Sequence, residues 1–261
     1  GLYLEVSATS SSATPNEEVT INIEALNRSD MTIFFDSYRF KENGVSILKT
    51  PEKQLENNVR LAIKDKIKLK NKAYSDPYWL QNKGTLGMYA VKDPLQIGKP
   101  ESDRPLQVEF ELDIWEHKIS FVKNVVYRYG KSDKGEIYEP FEILPEVTTH
   151  IDNKVIIFAD NRPKTVPVTI KAGASKIAGK LHLEVPKDWI VNPTEIPFSI
   201  AQKGDVAVVS FEVTPPKNQT EAVLKAVATI QNKTFNKELI EIEYDHIPKQ
   251  TVLAASEAKI V

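Results

Sequence analysis

Cysteine is absent from the 261 residues. That excludes a disulfide framework, a thiolate zinc site and a thiol nucleophile, and is compatible with the periplasm without requiring it. Histidine is scarce: His117, His150, His182 and His246 stand singly. Glu116-His117 and Asp245-His246 are adjacent pairs, which in a strand point to opposite faces and cannot chelate together. No window approaches the ~20 consecutive apolar residues of a membrane-spanning helix, so no membrane insertion is expected. Charge of one sign is not in excess: 34 basic against 36 acidic side chains give −2, and no nucleic-acid partner is expected. Gly-x-Ser-x-Gly does not occur, and Gly84-Thr85-Leu86-Gly87 lacks the Lys-Ser/Thr of a phosphate loop. The reading is therefore of a chain with no catalytic residue, no cofactor and no metal.

What the sequence has in abundance is alternation of period two, the pattern of strands with one buried face. Val19, Ile21, Ile23 and Ala25 alternate with polar neighbours, as do Leu106, Val108, Phe110, Leu112 and Ile114. The second half repeats it at Val166, Val168 and Ile170, at Leu181, Leu183 and Val185, at Val209, Phe211 and Val213, and at Ile240, Ile242 and Tyr244. Asn161-Arg162-Pro163, Pro186-Lys187-Asp188, Lys203-Gly204 and Pro215-Pro216 separate the runs as turns. Glu221 to Thr229, where helix and strand compete, is read as strand from its flanks. The expected fold class is all-β, two tandem immunoglobulin-like antiparallel β-sandwiches, a length that allows each its own core.

The domains are placed at 1–140, 141–248 and a connector tail at 249–261. Lys131 to Gly135 ends a long strand from Lys118 to Tyr129, Pro140 and Pro145 bracket a short apolar run, and Ile247-Pro248 closes the last strand. One stretch breaks the pattern, Tyr74 to Arg104, a long loop of the kind that often carries function. Its Tyr74, Tyr78, Trp79 and Tyr89 are the candidate site: a stacking platform for sugar rings, or a surface that docks a neighbouring domain. Trp115 and Trp189, next to strands, are read as core or core-edge. Glu136, Glu139 and Glu142 are read as a surface cluster rather than a glycosidase dyad. The triplets at Asn27, Asn218 and Asn232 match the N-glycosylation pattern, which carries no weight in a bacterial protein.

Three stretches together resemble the middle region of large bacterial PIG-L (LmbE-like) deacetylase-family proteins. They are Pro77-Tyr78-Trp79-Leu80 with Gly87-Met88-Tyr89, Gly135 to Ile143, and Tyr244 to Thr251. The resemblance implies a metal-dependent N-deacetylase domain ahead of this chain, acting on N-acetylated sugars. The family's His-Pro-Asp-Asp metal signature is missing here, so no catalytic residue carries over. The second half is also similar to the NEW-type sandwich associated with glycosidases, through Lys180 to Trp189 and Val209 to Pro216. These resemblances imply an accessory or spacer region of a periplasmic, cell-envelope or secreted protein. Its partners would be neighbouring domains of the same polypeptide, with a glycan as the alternative. The residues from Gly1 carry no secretion signal, which is expected to lie upstream.

Overall fold

The computed structural model describes residues 1–42, 45–70 and 72–261, with backbone alone for 41, 42 and 45–47. It divides into two compact units, Gly1–Leu144 with Glu243–Gln250, and Pro145–Ile242 with Thr251–Val261. Both are built of strands, and the one helical turn among the described residues is a 3-10 turn at Pro94–Gln96. No helix among the described residues is long and apolar enough to cross a membrane.

In the first unit a five-stranded sheet runs in the order Gly135–Pro140, Val126–Lys131, Leu2–Ala8, Glu18–Asn27, Arg60–Lys68. The facing sheet is built on Val45–Lys49, Ile33–Glu42, Gln107–Ile114 and His117–Asn124, with Lys53–Gln54 on Ile33–Glu42. Period-two alternation sends Val6, Ile21 and Ile23 from one sheet, and Phe35, Phe110 and Leu112 from the other, into one interior. Each such side chain, fully buried, contributes about 1.5–3 kcal/mol.

The second unit repeats the plan. Val147–His150, Lys164–Ala172, Val206–Thr214 and Ile190–Asn192 form one sheet. The other runs Val155–Ile156, Glu257–Ile260, Ala222–Ile230, Ile177–Glu184, Ile196–Ile200, with Lys233–Phe235 on Ala222–Ile230. Val168, Ile170 and Phe211 meet Leu181, Leu224 and Ile260 in its core. The all-β, sandwich reading of the alternation is thus the fold, and Glu221 to Thr229 falls in a strand.

Four details differ from the sequence reading. Phe141 and Ile143 are fully buried in the first core, and Glu142–Ile143 pairs in parallel with Ser12–Ala13, so the first unit runs to Leu144 rather than residue 140. The segment 249–261 is no connector tail. Ile247–Ala255 pairs with Lys237–Tyr244, and Glu257–Ile260 is an inner strand of the second unit, with Ala258 and Ile260 buried. The supposed strand Lys118 to Tyr129 is two. His117–Asn124 lies in one sheet and Val126–Lys131 in the other, with buried Val125 at the crossing. Trp115 is 67% exposed, not core: Trp115 and Glu116 form the two-residue turn between Gln107–Ile114 and His117–Asn124, with φ of 54° and 64°.

Candidate functional site

The loop of residues 74–104 leaves and re-enters the first unit next to Leu69 and Leu106, both fully buried. It is tied down along its length. The Ser75 amide donates to the Ile143 carbonyl (2.8 Å), and the Ile143 amide donates back to Ser75 Oγ (2.9 Å). The Tyr78 amide donates to Ser102 Oγ (2.8 Å), whose hydroxyl donates to the Asp76 carbonyl (3.3 Å). The Tyr78 hydroxyl donates to the Lys99 carbonyl (3.2 Å), and Arg104 pairs with Glu101 and, at 3.4 Å, with Glu142. Burial pushes the Glu142 carboxyl above the usual carboxylate range, against the opposing pull of Ser75 and Arg104.

Between these ties the loop turns back on itself. Thr85 and Met88 exchange backbone hydrogen bonds of 3.0 and 3.2 Å across a turn in which Gly87 takes a φ of 82°. Gly84 packs so closely that a Cβ there would lie 2.4 Å from the Met88 carbonyl oxygen. The turn closes a hollow of about 410 Å³ whose walls include Trp79, Leu80, Asn82, Met88 and Tyr89. Tyr78 buttresses Trp79 edge-to-face, ring centroids 4.8 Å apart.

Of the four aromatics read from the sequence, the structure therefore brings Trp79 and Tyr89 to one hollow and puts Tyr78 behind Trp79. Tyr74, 40% exposed, is not among the lining residues. The sequence reading passed over the aliphatic side chains of the same loop. Leu86, Met88, Leu95 and Ile97 are all exposed, Leu86 completely. The available signal was apolar residues lying between glycines and prolines with no alternation to place them in a core.

The other candidates are dispersed. Tyr138 donates to Glu136 (3.2 Å), Tyr129 donates to Glu139 (2.7 Å) and Glu142 belongs to the loop anchor, so the three carboxylates are held by different partners. His150 lies between two carboxylates, Nδ1 3.0 Å from Glu238 and Nε2 3.1 Å from Asp152. Its two nitrogens point apart, and among the described residues no three His, Asp or Glu side chains converge as metal ligands. Asn27 is 1% exposed with its amide fully engaged. It donates to the carbonyls of Met31 and Leu55 and accepts from the Ser29 amide and hydroxyl, which closes it to glycosylation in the folded chain.

No protein-family model matches the chain, nor does any curated protein sequence. Among solved structures, red sea bream transglutaminase aligns over 97% of this chain and 31% of its own, at 12% identity and a TM-score of 0.37. The α2-macroglobulins of E. coli (8%, TM-score 0.29, 100% of this chain) and Salmonella (9%, 0.30, 99%) align over 17% and 16% of theirs. The chain thus spans less than a third of each of these three proteins. What stands is an all-β chain of sandwich architecture, a body compatible with a non-enzymatic role.

Proposed function

We propose that the chain is a non-catalytic accessory region of a larger cell-envelope protein, and that its 74–104 loop is the surface on which a neighbouring domain of the same polypeptide docks. One observation carries this reading: a loop stitched down by Ser75, Ser102 and Arg104 holds Leu86, Met88, Tyr89, Leu95 and Ile97 out to solvent. Exposed apolar side chains gathered on an anchored segment mark an interaction surface, and a fixed loop loses little entropy on docking. The resemblance to PIG-L proteins supports a parent that is a metal-dependent N-deacetylase acting on N-acetylated sugars.

The second reading makes the same loop a carbohydrate-binding module. It is supported by the hollow shared by Trp79 and Tyr89, flat side chains suited to a sugar face. The aliphatic exposure around them favours docking. The test is to assay the 261-residue chain on N-acetylated sugars with and without zinc, and to titrate it with glycans. The proposal expects no turnover and no glycan affinity sensitive to Trp79→Ala. Robust turnover would refute the non-catalytic reading, and glycan binding abolished by Trp79→Ala would replace docking with the second reading.

A further inference from the structure

In the second unit the strand Val206–Thr214 has one edge partly uncovered. Lys164–Ala172 flanks it along its length on one side, whereas on the other, among the described residues, Ile190–Asn192 pairs with Glu212 to Thr214 alone. Gly204, with a φ of 89°, turns the chain into this strand: its amide donates to the Ala172 carbonyl (2.8 Å), and the Ala172 amide donates to the Asp205 carbonyl (2.9 Å). That contact sets the alternation of the antiparallel ladder. Residues 207, 209 and 211 exchange hydrogen bonds with Lys164–Ala172, so Val206, Val208 and Ser210 turn their N–H and C=O groups to the uncovered side.

The side chains at these positions are exposed and uncharged. Ala207, Val209 and Phe211 pack into the core, which leaves Val206 (60% exposed), Val208 (63%) and Ser210 on the outer face. Sheet edges that stay unpaired are guarded by charge, proline or a bulge. The first unit's edge strand Arg60–Lys68 follows that rule, with Arg60, Lys64, Lys66 and Lys68 all exposed, and residues 206–210 do not. Unmet backbone groups beside exposed valines make a template for another strand.

We propose that residues 206–210 pair antiparallel with the same residues of a second copy of this chain, about a two-fold axis through Val208. In that register Val208 faces Val208 and Val206 faces Ser210, so the outward N–H and C=O groups of all three residues meet partners on the other strand. The length fits as well. Opposite Glu212, where Ile190–Asn192 begins to cover this edge, the second copy's chain has reached its Gly204 turn and heads back toward Ile196–Ile200 in the facing sheet. The same register sets Lys203 of the second copy one position beyond Glu212, which brings opposite charges together at both ends of the pair. The inference does not depend on the role given to the 74–104 loop.

Sedimentation equilibrium of the 261-residue chain between about 10 µM and 1 mM is expected to show a monomer–dimer equilibrium with a dissociation constant on the order of 100 µM, in the range of weak interfaces. Val208→Lys sets like charges face to face, and Val208→Pro removes an edge N–H that the ladder with Lys164–Ala172 does not use; each is expected to weaken the dimer about tenfold or more. Thr169→Lys puts a charge on the same outer face one strand inward, and is expected to leave the constant within about twofold. Amide exchange at Val206, Val208 and Ser210 is expected to slow with rising concentration in the unaltered chain but not in Val208→Lys. A single-chain mass at about 1 mM would leave the edge to some other strand and overturn the proposal. So would a dimer indifferent to both Val208 variants, or one that Thr169→Lys disrupts equally, the mark of stacked sheet faces.

Discussion

Glu5 and Glu24 face each other across the central strands of the first unit's five-stranded sheet and share one guanidinium, that of Arg128. Nη2 lies 3.0 Å from Glu24 Oε1 and Nη1 2.9 Å from Glu5 Oε1, the latter contact off the line of a hydrogen bond and so chiefly Coulombic. Both carboxylates are more than 90% buried, and Arg60 gives Glu24 a second cation.

Removing that shared charge leaves two adjacent acids under-compensated. Arg128→Met is expected to destabilise the first unit by about 3 kcal/mol, the lower end for breaking a buried pair because Arg60 remains. Urea unfolding checks it. Adding Glu5→Gln to Arg128→Met should recover part of the loss, whereas additive losses would show that the side chains do not interact.

The second unit depends on the strand at 257–260. A fragment of residues 145–261 is expected to unfold cooperatively, while 145–250, lacking the strand between Val155–Ile156 and Ala222–Ile230 and with it buried Ala258 and Ile260, is expected to lose that transition. Calorimetry on the two fragments decides it.

Phe110 and Phe211 are each fully buried, one in each core. Phe110→Ala and Phe211→Ala should each cost about 3–5 kcal/mol in chemical unfolding. Because they share no neighbours, the double variant should lose the sum.

Glu142 gives the first unit a pH dependence of unusual sign. Its folded pKa is raised by burial, so its contribution to stability is fully present below its unfolded pKa and is lost as pH rises through the folded value. Glu142→Gln should therefore raise the melting temperature at pH 7 more than at pH 4. An equal effect at both would contradict the assignment.

Four tyrosine hydroxyls are held above their ordinary range. Tyr3 and Tyr38 are shifted by burial and by the carboxylates of Glu5 and Asp65, Tyr129 is pushed up to about 12 chiefly by its hydrogen bond to Glu139, and Tyr138 is raised chiefly by burial. Absorbance titration into alkali should show a late class of phenolates, lost from the Tyr129 position in Glu139→Gln.

Much of this fold was written in side-chain alternation, because a strand with one wet face must alternate, and Val19 to Ala25, Leu106 to Ile114 and Val166 to Ile170 do so without interruption. Glu257–Ile260 was not legible: two small or short apolar residues become core through pairing with residues 155–156 and 222–225, a long-range event with no local signature. Trp115 misled because a large aromatic beside a strand suggests burial, whereas its left-handed backbone in a two-residue turn leaves it in water. For the loop, the aromatics marked the right segment, but no spacing could say that Trp79 and Tyr89 would share a hollow from which Tyr74 is absent, since Gly84, Gly87 and the distant Ile143 decide the path. The Glu5–Arg128–Glu24 cluster was invisible for the same reason: its members are up to 123 residues apart.

The docking role is tested most directly by amide hydrogen exchange over residues 80–97, compared between the 261-residue chain and the same residues within the complete polypeptide. The account predicts slower exchange around Leu86 to Tyr89 in the complete polypeptide, because a neighbouring domain covers them. Identical exchange in the two would leave the loop bare and contradict it.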